Sequence, residues 1–152
     1  MICWLATHHR LRTLDLLVKI GLMEENKCLL CDIDEESHSH MFFNCQYSIQ
    51  CIEMIKKWLH LSSMQTLLQR QWIMLQRSRR TGFQKRVIAV VFSGLIYSIW
   101  WARNKAVWNQ VVWRPEVVVR RMKQAVLLRL KMVMPQKIST REKKWFERIQ
   151  SE

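Results

Sequence analysis

Three cysteines and a histidine are the side chains in this sequence whose spacing could bind a metal ion. They follow the pattern Cys28-x2-Cys31-x8-His40-x4-Cys45. The Cys-x-x-Cys turn points both of its sulfurs to one side, and the later His and Cys can supply two further ligands. Three thiolates and one imidazole form a closed tetrahedral shell, which is typical of structural zinc and leaves no position for a catalytic water. The spacing therefore predicts one structural zinc ion that supports folding of residues 22–45.

Other interpretations of the cysteines and histidines stay open on spacing alone. His38 lies two positions before His40 and is a rival ligand. A reduced cysteine pair in a loop, with Cys45 buried separately, is the alternative to a metal site, whereas a redox motif is disfavoured because no βαβ pattern surrounds it. Cys3 and Cys51 fall on apolar faces and are expected in the core. The remaining histidines, His8, His9 and His60, are expected in solvent.

The composition favours helices and disfavours several kinds of enzyme. The 152 residues include 3 Gly and 2 Pro, too few for sandwiches, barrels or phosphate-binding glycine loops. Asp occurs only at positions 15, 32 and 34, so the clustered carboxylates of a two-metal polymerase or nuclease are missing. We therefore expect a mainly α protein that is not an enzyme and has no small-molecule substrate.

The charge is unevenly distributed along the chain. The net charge is +13. Residues 1–60 carry six basic and eight acidic side chains, whereas residues 61–152 carry nineteen basic and four acidic ones, a net charge of +15. This asymmetry predicts a zinc-binding module at 1–61 and a basic, aromatic-rich helical region at 62–152 that binds RNA or DNA. The odd number of cysteines and the absence of a signal-peptide pattern favour an intracellular location, in nucleus or cytoplasm.

Two basic clusters are the predicted phosphate-binding groups. Eight tryptophans accompany them. Cations on phosphates and aromatic faces on bases are the usual means of holding single strands, and Trp72 and Phe83 flank the first cluster. Trp58 and the set Tyr97, Trp100, Trp101 and Trp108 are instead expected in the core. The first cluster is Arg77, Arg79, Arg80, Lys85 and Arg86, and the second is Arg120, Arg121 and Lys123.

Apolar periodicity and punctuating residues predict the helices. Val87 to Trp101 is an uncharged run, shorter than the ~20 residues needed to span a bilayer, so we expect a buried core helix and disfavour a membrane role. A stripe of Val119, Met122, Val126, Leu130 and Val133 should face the core. Thr13 should cap a helix that ends at Gly21, and Ser62-Ser63 should mark a helix start or break. The predicted helices cover 2–10, 46–60, 64–77, 83–109, 115–134 and the tail after Ser139, with Pro115 in the first turn of its helix.

Two segments resemble a known family. Trp4-Leu5, Arg10-Leu11-Arg12-Thr13-Leu14, Gly21-Leu22 and Cys28-Leu29-Leu30-Cys31 are similar to the zinc-binding domain that follows the reverse transcriptase of plant LINE-type, non-LTR retrotransposons. Its E-[ST]-x-x-H-L-F-x-x-C segment reads Glu36-Ser37-His38-Ser39-His40-Met41-Phe42-Phe43-Asn44-Cys45, with Met41 in place of Leu. Ile99-Trp100-Trp101-Ala102-Arg103-Asn104 resembles the I-W-x-x-R-N helix that follows.

The resemblance implies zinc, a link to retrotransposition, and His40 rather than His38 as the ligand. The chain looks like a C-terminal fragment, since it has no Tyr-x-Asp-Asp polymerase motif. The expected function is a zinc-stabilised, non-catalytic, nucleic-acid-binding accessory module. One alternative is a protein-interaction module, which docks on a reverse transcriptase domain or self-associates through the 87–101 helix with exposed Leu128 and Met132. The other is a decayed element without function. Arg103-Asn104 could satisfy helix ends or a neighbouring chain.

Overall fold

The computed structural model describes residues 2–61, 73, 75–135 and 137–151. Within these ranges the protein is built of helices, and one isolated antiparallel bridge joins Lys27 to Glu35. The mainly α fold expected from the composition is confirmed. Six α-helices and one π-helical turn are described: α1 Ile2–Thr7, α2 Leu14–Lys19, the π-helical turn His40–Asn44, α3 Gln46–Trp58, α4 Gly82–Asn109, α5 Pro115–Met132 and α6 Thr140–Ser151.

The second of the two short N-terminal helices begins after Thr13 and ends before Gly21, as predicted. Thr13 stands at the N-cap of α2, although its hydroxyl bonds the Asp15 carboxylate and caps no backbone N–H. Gly21 follows with a φ of +73°, the left-handed conformation that favours glycine after a helix. The predicted helix 64–77 and the Ser62-Ser63 break lie largely outside the described residues; positions 73 and 75–77 are helical.

The long helix α4 is the centre of the fold. Thr81 accepts a hydrogen bond from the Gln84 amide, and the Gln84 side chain accepts one from the Thr81 amide, so a reciprocal capping box begins the helix. Gln110 ends it in the left-handed conformation with a φ of 53°. A short connection then reaches Pro115 in the first turn of α5, as predicted.

Helix α5 packs antiparallel against α4. A Cβ at Gly94 would lie 2.7 Å from Val126 Cγ2, so this glycine permits the close approach of the two helices. The predicted stripe of α5 is buried at Val119, Met122, Val126 and Leu130. The prediction is wrong for Val133, which is 57% exposed because α5 ends at Met132.

One hydrophobic core contains residues from both sides of the predicted boundary at 61. It includes Ala6, Phe42 and Ile55 from the N-terminal part and Val91 and Ile149 from the C-terminal part. The division into 1–61 and 62–152 stays a prediction about domain organisation. In the described residues, the two segments share their packing.

Length and composition alone would allow α4 to cross a membrane. In the described fold, Val87, Val91 and Ile99 of this helix are buried against the protein. One side of this helix is therefore part of the core, as the apolar run predicts, while the other side is exposed at Val90 and Tyr97.

Several aromatic side chains differ from the sequence-based prediction. Trp58 is buried as expected, but Tyr97 is 54% and Trp108 62% exposed. These two side chains lie on one side of α4 and stay largely open to solvent, with Tyr97 bordering α5. Phe83 is buried edge-on against Trp145 and Phe146 of α6, so it is not available to stack on a base beside the basic turn. Trp72 lies outside the described residues.

Candidate metal centre

A tight backbone loop positions the first two sulfurs. The Cys28 amide donates to the Asp34 carbonyl at 2.8 Å, and the Asp32 amide donates to the Cys28 carbonyl at 2.8 Å. Asp32 takes a φ of 53°, which lets the chain reverse directly after Cys31. A further bond from the Glu36 amide to the Asn26 carbonyl, at 2.6 Å, closes the base of the loop. This hairpin points the Cys28 and Cys31 side chains toward one point, as the Cys-x-x-Cys spacing predicts.

The π-helical turn and the start of α3 supply the other two donors. The Ser37 hydroxyl accepts from the His40 amide at 3.1 Å, and the Cys45 amide donates to the His40 carbonyl at 2.7 Å. The Ser48 hydroxyl bonds the Met41 carbonyl and ties the turn to α3. The wider π-helical turn brings the ring of His40 and the sulfur of Cys45 to the same side.

The four predicted ligand atoms meet in one cluster. The sulfurs of Cys28, Cys31 and Cys45 and a ring nitrogen of His40 all lie within 4.8 Å of one another. The Cys28 and Cys45 sulfurs are 3.8 Å apart, and Cys31 Sγ is 3.3 Å from His40 Nε2. A tetrahedron with Zn–S bonds of about 2.3 Å and Zn–N bonds of about 2.0–2.1 Å has edges of roughly 3.8 and 3.6 Å. The donor set and its spacing therefore fit a single structural zinc ion.

The sulfurs of Cys28 and Cys45 are close enough to share a proton. The contact between the sulfurs of Cys28 and Cys45 raises the pKa of the Cys28 thiol, with burial adding to the effect, and lowers the pKa of Cys45. One sulfur thus donates a hydrogen bond to the other, and zinc binding would release that proton because each ligand must be a thiolate. On the outer side, Asp34 Oδ2 lies 3.8 Å from His40 Nδ1. A carboxylate behind a ligating imidazole is the usual arrangement at zinc sites.

His38 lies apart from the cluster. Its ring packs in tilted contact with those of His9 and Phe42, with ring centres 4.2 and 5.0 Å away. Burial lowers the pKa of His38 to about 4, and both ring nitrogens are buried with no hydrogen-bond partner among the described residues. The structure therefore groups His40, not His38, with the three cysteines, and His38 is not solvated.

The other cysteines and histidines are placed mostly as predicted. All five cysteines are free thiols. Cys51 is fully buried, and Cys3 is half-buried against the core. His8, His9 and His60 are exposed.

A buried ion pair behind the metal loop was not predicted. Glu36 and Arg103 are 0% and 1% exposed. Arg103 Nε donates to both carboxylate oxygens at 3.0 and 3.1 Å, and its Nη2 donates to Oε1 at 2.8 Å. The Leu14 amide donates to the same Oε1 at 2.7 Å. Local sequence gave no sign of this contact, because the partners are 67 positions apart; the only hint was that each lies in a segment that resembles the same family.

The predicted phosphate-binding residues lie in two places. Arg77, Arg79 and Arg86 are exposed around the turn before α4, and Arg80 is partly exposed there. Lys85 Nζ donates to the Gln76 carbonyl at 2.6 Å, so it helps to hold this turn. The second set lies on α5: Arg120 is exposed, Arg121 stacks on tryptophans, and Lys123 Nζ lies 4.7 Å from the ring centre of Trp58.

The fold and the site define a class: a helical protein that carries a closed Cys3His zinc module near its N-terminus. Residues 1–51 match the family described as zinc-binding in reverse transcriptase. The match spans all four metal ligands and covers a zinc-binding domain rather than the catalytic domain. No curated protein and no solved structure matches the chain.

Proposed function

We propose that this protein is a zinc-stabilised, nucleic-acid-binding accessory module derived from the reverse transcriptase of a plant LINE-type, non-LTR retrotransposon. The match of residues 1–51 and the Cys3His cluster support its origin and its zinc. Binding to RNA or DNA, in nucleus or cytoplasm, is the activity proposed for the remainder. A closed ligand shell supports a non-catalytic role, since it leaves no position for substrate or water.

The observation that carries the proposal is the concentration of exposed cations at one end of α4. Arg77, Arg79 and Arg86 are exposed at this end. The pKa of Glu142 is lowered by Thr81, by Ser139 and by the charge of Arg86, which places the start of α6 here; α6 thus brings one carboxylate together with the exposed Arg141. We call Arg77, Arg79, Arg80, Arg86 and Arg141 the basic end. A cluster of this kind suits phosphate groups and gives no sequence readout.

The metal centre supports the fold but adds no attraction for phosphate. Three thiolates and Zn2+ together carry a formal charge of −1. Asp32 and Asp34 are exposed beside it and add negative charge. The zinc half therefore acts as a scaffold, and the cationic helices are the contact surface.

Charge reversal at the basic end tests this function. Zinc-loaded Arg79→Glu/Arg80→Glu protein should bind a labelled single-stranded RNA or a DNA duplex more weakly than wild type. Its affinity should also depend less steeply on salt, because each lost phosphate contact removes about 0.7–0.9 from the slope of log affinity against log salt concentration. The matched control is Arg12→Glu/Lys19→Glu, a double reversal of exposed residues far from this end in the sequence. Equal losses in both variants would mean that net charge, not this surface, attracts the nucleic acid.

A second candidate function is protein interaction. Leu128 and Met132 of α5 are 65% and 72% exposed, which favours a contact with a reverse transcriptase domain or a second copy. Light scattering coupled to size exclusion separates the two candidates. A concentration-independent monomer that binds nucleic acid supports the first, whereas a dimer that Leu128→Glu/Met132→Glu converts to a monomer supports the second.

A further inference from the structure

We infer that the exposed face of α4 is a track for single-stranded nucleic acid, on which Tyr97 and Trp108 stack against bases. This inference rests on the proposed function and specifies its ligand as a single strand. Arg86, Tyr97, Trp101 and Trp108 recur at spacings that place them on one side of the helix. From Arg86 to Trp108 this face is about 33 Å long.

The aromatic part of the face is exposed although it lies on the most apolar helix. Tyr97 and Trp108 are more than half exposed. Between α4 and α5, a groove of about 300 Å³ is lined by Tyr97, Trp101, Arg121 and Ala125. Flat aromatic faces beside an open groove suit nucleobases, because stacking requires only access to one ring face.

A cation lies beside Trp101, between Tyr97 and Trp108 along the track. The Arg121 guanidinium lies 5.1 Å from the ring centre of Trp101 and 5.2 Å from that of Trp113. Lys105 Nζ lies 5.8 Å from the Trp101 ring. Among the described residues, Arg121 makes no ion pair or hydrogen bond that would occupy its N–H groups. Cation–π contact with both indole rings holds the guanidinium in place, and its N–H groups remain available to a phosphate.

Charge complementarity favours a polyanion over an apolar protein partner. Helix α4 contains no Asp or Glu. The only acid of α5, Glu116, lies on the side near Tyr47 and Cys51, whose pKa values are raised mainly by burial and further by this carboxylate. The basic end lies at the start of the track, and Arg121 lies beside Trp101. A strand laid along α4 would therefore meet cations at its start and again beside Trp101, next to the exposed rings of Tyr97 and Trp108.

The test compares zinc-loaded full-length variants in binding to labelled single strands of roughly 12 nucleotides, of RNA and of DNA. Tyr97→Ala and Trp108→Ala should each weaken binding about tenfold, whereas Tyr97→Phe and Trp108→Phe, which retain a ring, should keep most of it. An abasic strand with the same phosphates should bind wild type more weakly and should not distinguish the alanine variants. Ile33→Ala, an exposed apolar side chain on the metal loop, is the matched control and should change nothing.

The outcomes separate the track from the broader function. Suppose that binding depends on salt and is lost on charge reversal at Arg79 and Arg80, yet is unaffected by alanine at Tyr97 or Trp108 and by removal of the bases. That result would overturn the track and leave phosphate binding at the basic end intact. Tighter binding of a duplex than of either single strand would also overturn the track. Absence of binding to any strand at low salt would overturn both, and a preference between RNA and DNA would identify the natural strand.

Discussion

The carboxylate of Glu36 and the guanidinium of Arg103 form a fully buried, forked ion pair that joins the metal loop to the C-terminal third of α4. Glu36 lies four positions before the ligand His40, and the Leu14 amide at the start of α2 bonds the same carboxylate. A single side chain thus links the loop, α2 and the central helix. The zinc module and the C-terminal helices are therefore joined through this pair as well as through the shared core.

Removing either partner of this pair should destabilise the protein strongly. Arg103→Met or Glu36→Gln leaves the other polar group buried without its counter-charge, which typically costs about 3–5 kcal/mol. The free energy of unfolding in urea, measured with zinc in excess, gives the loss.

A double-mutant cycle provides the control. If the pair acts as a unit, the Glu36→Gln/Arg103→Met protein should lose clearly less than the sum of the single losses. Additive losses would show that the two side chains contribute separately and that the link is not energetic.

The metal ligands were accessible to sequence reasoning because they lie within eighteen consecutive residues. A Cys-x-x-Cys turn restricts its sulfurs to one side whatever the rest of the fold does, so spacing alone predicted the cluster. The choice between His38 and His40 needed the resemblance. The structure shows the reason. His38, just before the turn at His40–Asn44, lies against His9 and Phe42 and away from the cluster, and the spacing of the ligands does not determine that placement.

Zinc binding should separate the two histidines experimentally. His40→Ala removes a ligand and should reduce bound zinc from one ion per chain and destabilise the loop 22–45, because metal binding supplies much of the folding energy of such modules. His38→Ala should retain one zinc. Metal content by mass spectrometry under native conditions measures both. Loss of zinc in the His38 variant and retention in the His40 variant would reverse the assignment.

The two cysteines outside the cluster should differ in reactivity. Burial raises the pKa of Cys51 to about 12, with a smaller contribution from Glu116. Its thiol should therefore stay protonated at pH 8 in the folded protein, and only the thiolate is nucleophilic. In zinc-loaded protein, iodoacetamide should modify half-buried Cys3 first and leave Cys51 intact.

The same shift gives a dependence of stability on pH. The pKa of Cys51 is raised in the folded state, so its contribution to stability is complete below about pH 8.5 and declines as pH rises toward 12. Cys51→Ala should show a smaller decline over this range than wild type, measured by chemical unfolding at several pH values. Identical profiles for the two proteins would contradict the expected burial of this thiol.

Long-range contacts set the limit of prediction in the C-terminal half. The apolar run 87–101 and Pro115 predicted helices α4 and α5, because these signals are local. Exposure of Tyr97 and Trp108 could not be predicted, since their spacing is equally compatible with a buried stripe. Which side of α4 is left open depends on where α1, α3 and α5 pack, and helical periodicity does not contain that information.

The tail helix α6 should contribute to the core although its sequence is mostly charged. Phe146 and Ile149 are buried, and the Ile149 carbonyl accepts a hydrogen bond from Trp58 Nε1 at 2.7 Å. Phe146→Ala should therefore cost about 3–5 kcal/mol through lost burial and the cavity left beside Phe83. Lys144→Ala, an exposed position on the same helix, is the control and should change stability by less than about 0.5 kcal/mol.

Urea unfolding measures both, and limited proteolysis near residues 137–139 should become faster only in the Phe146 variant. Equal stability of the two variants would show that α6 does not dock as described, and the basic end would then lack the contribution of Arg141.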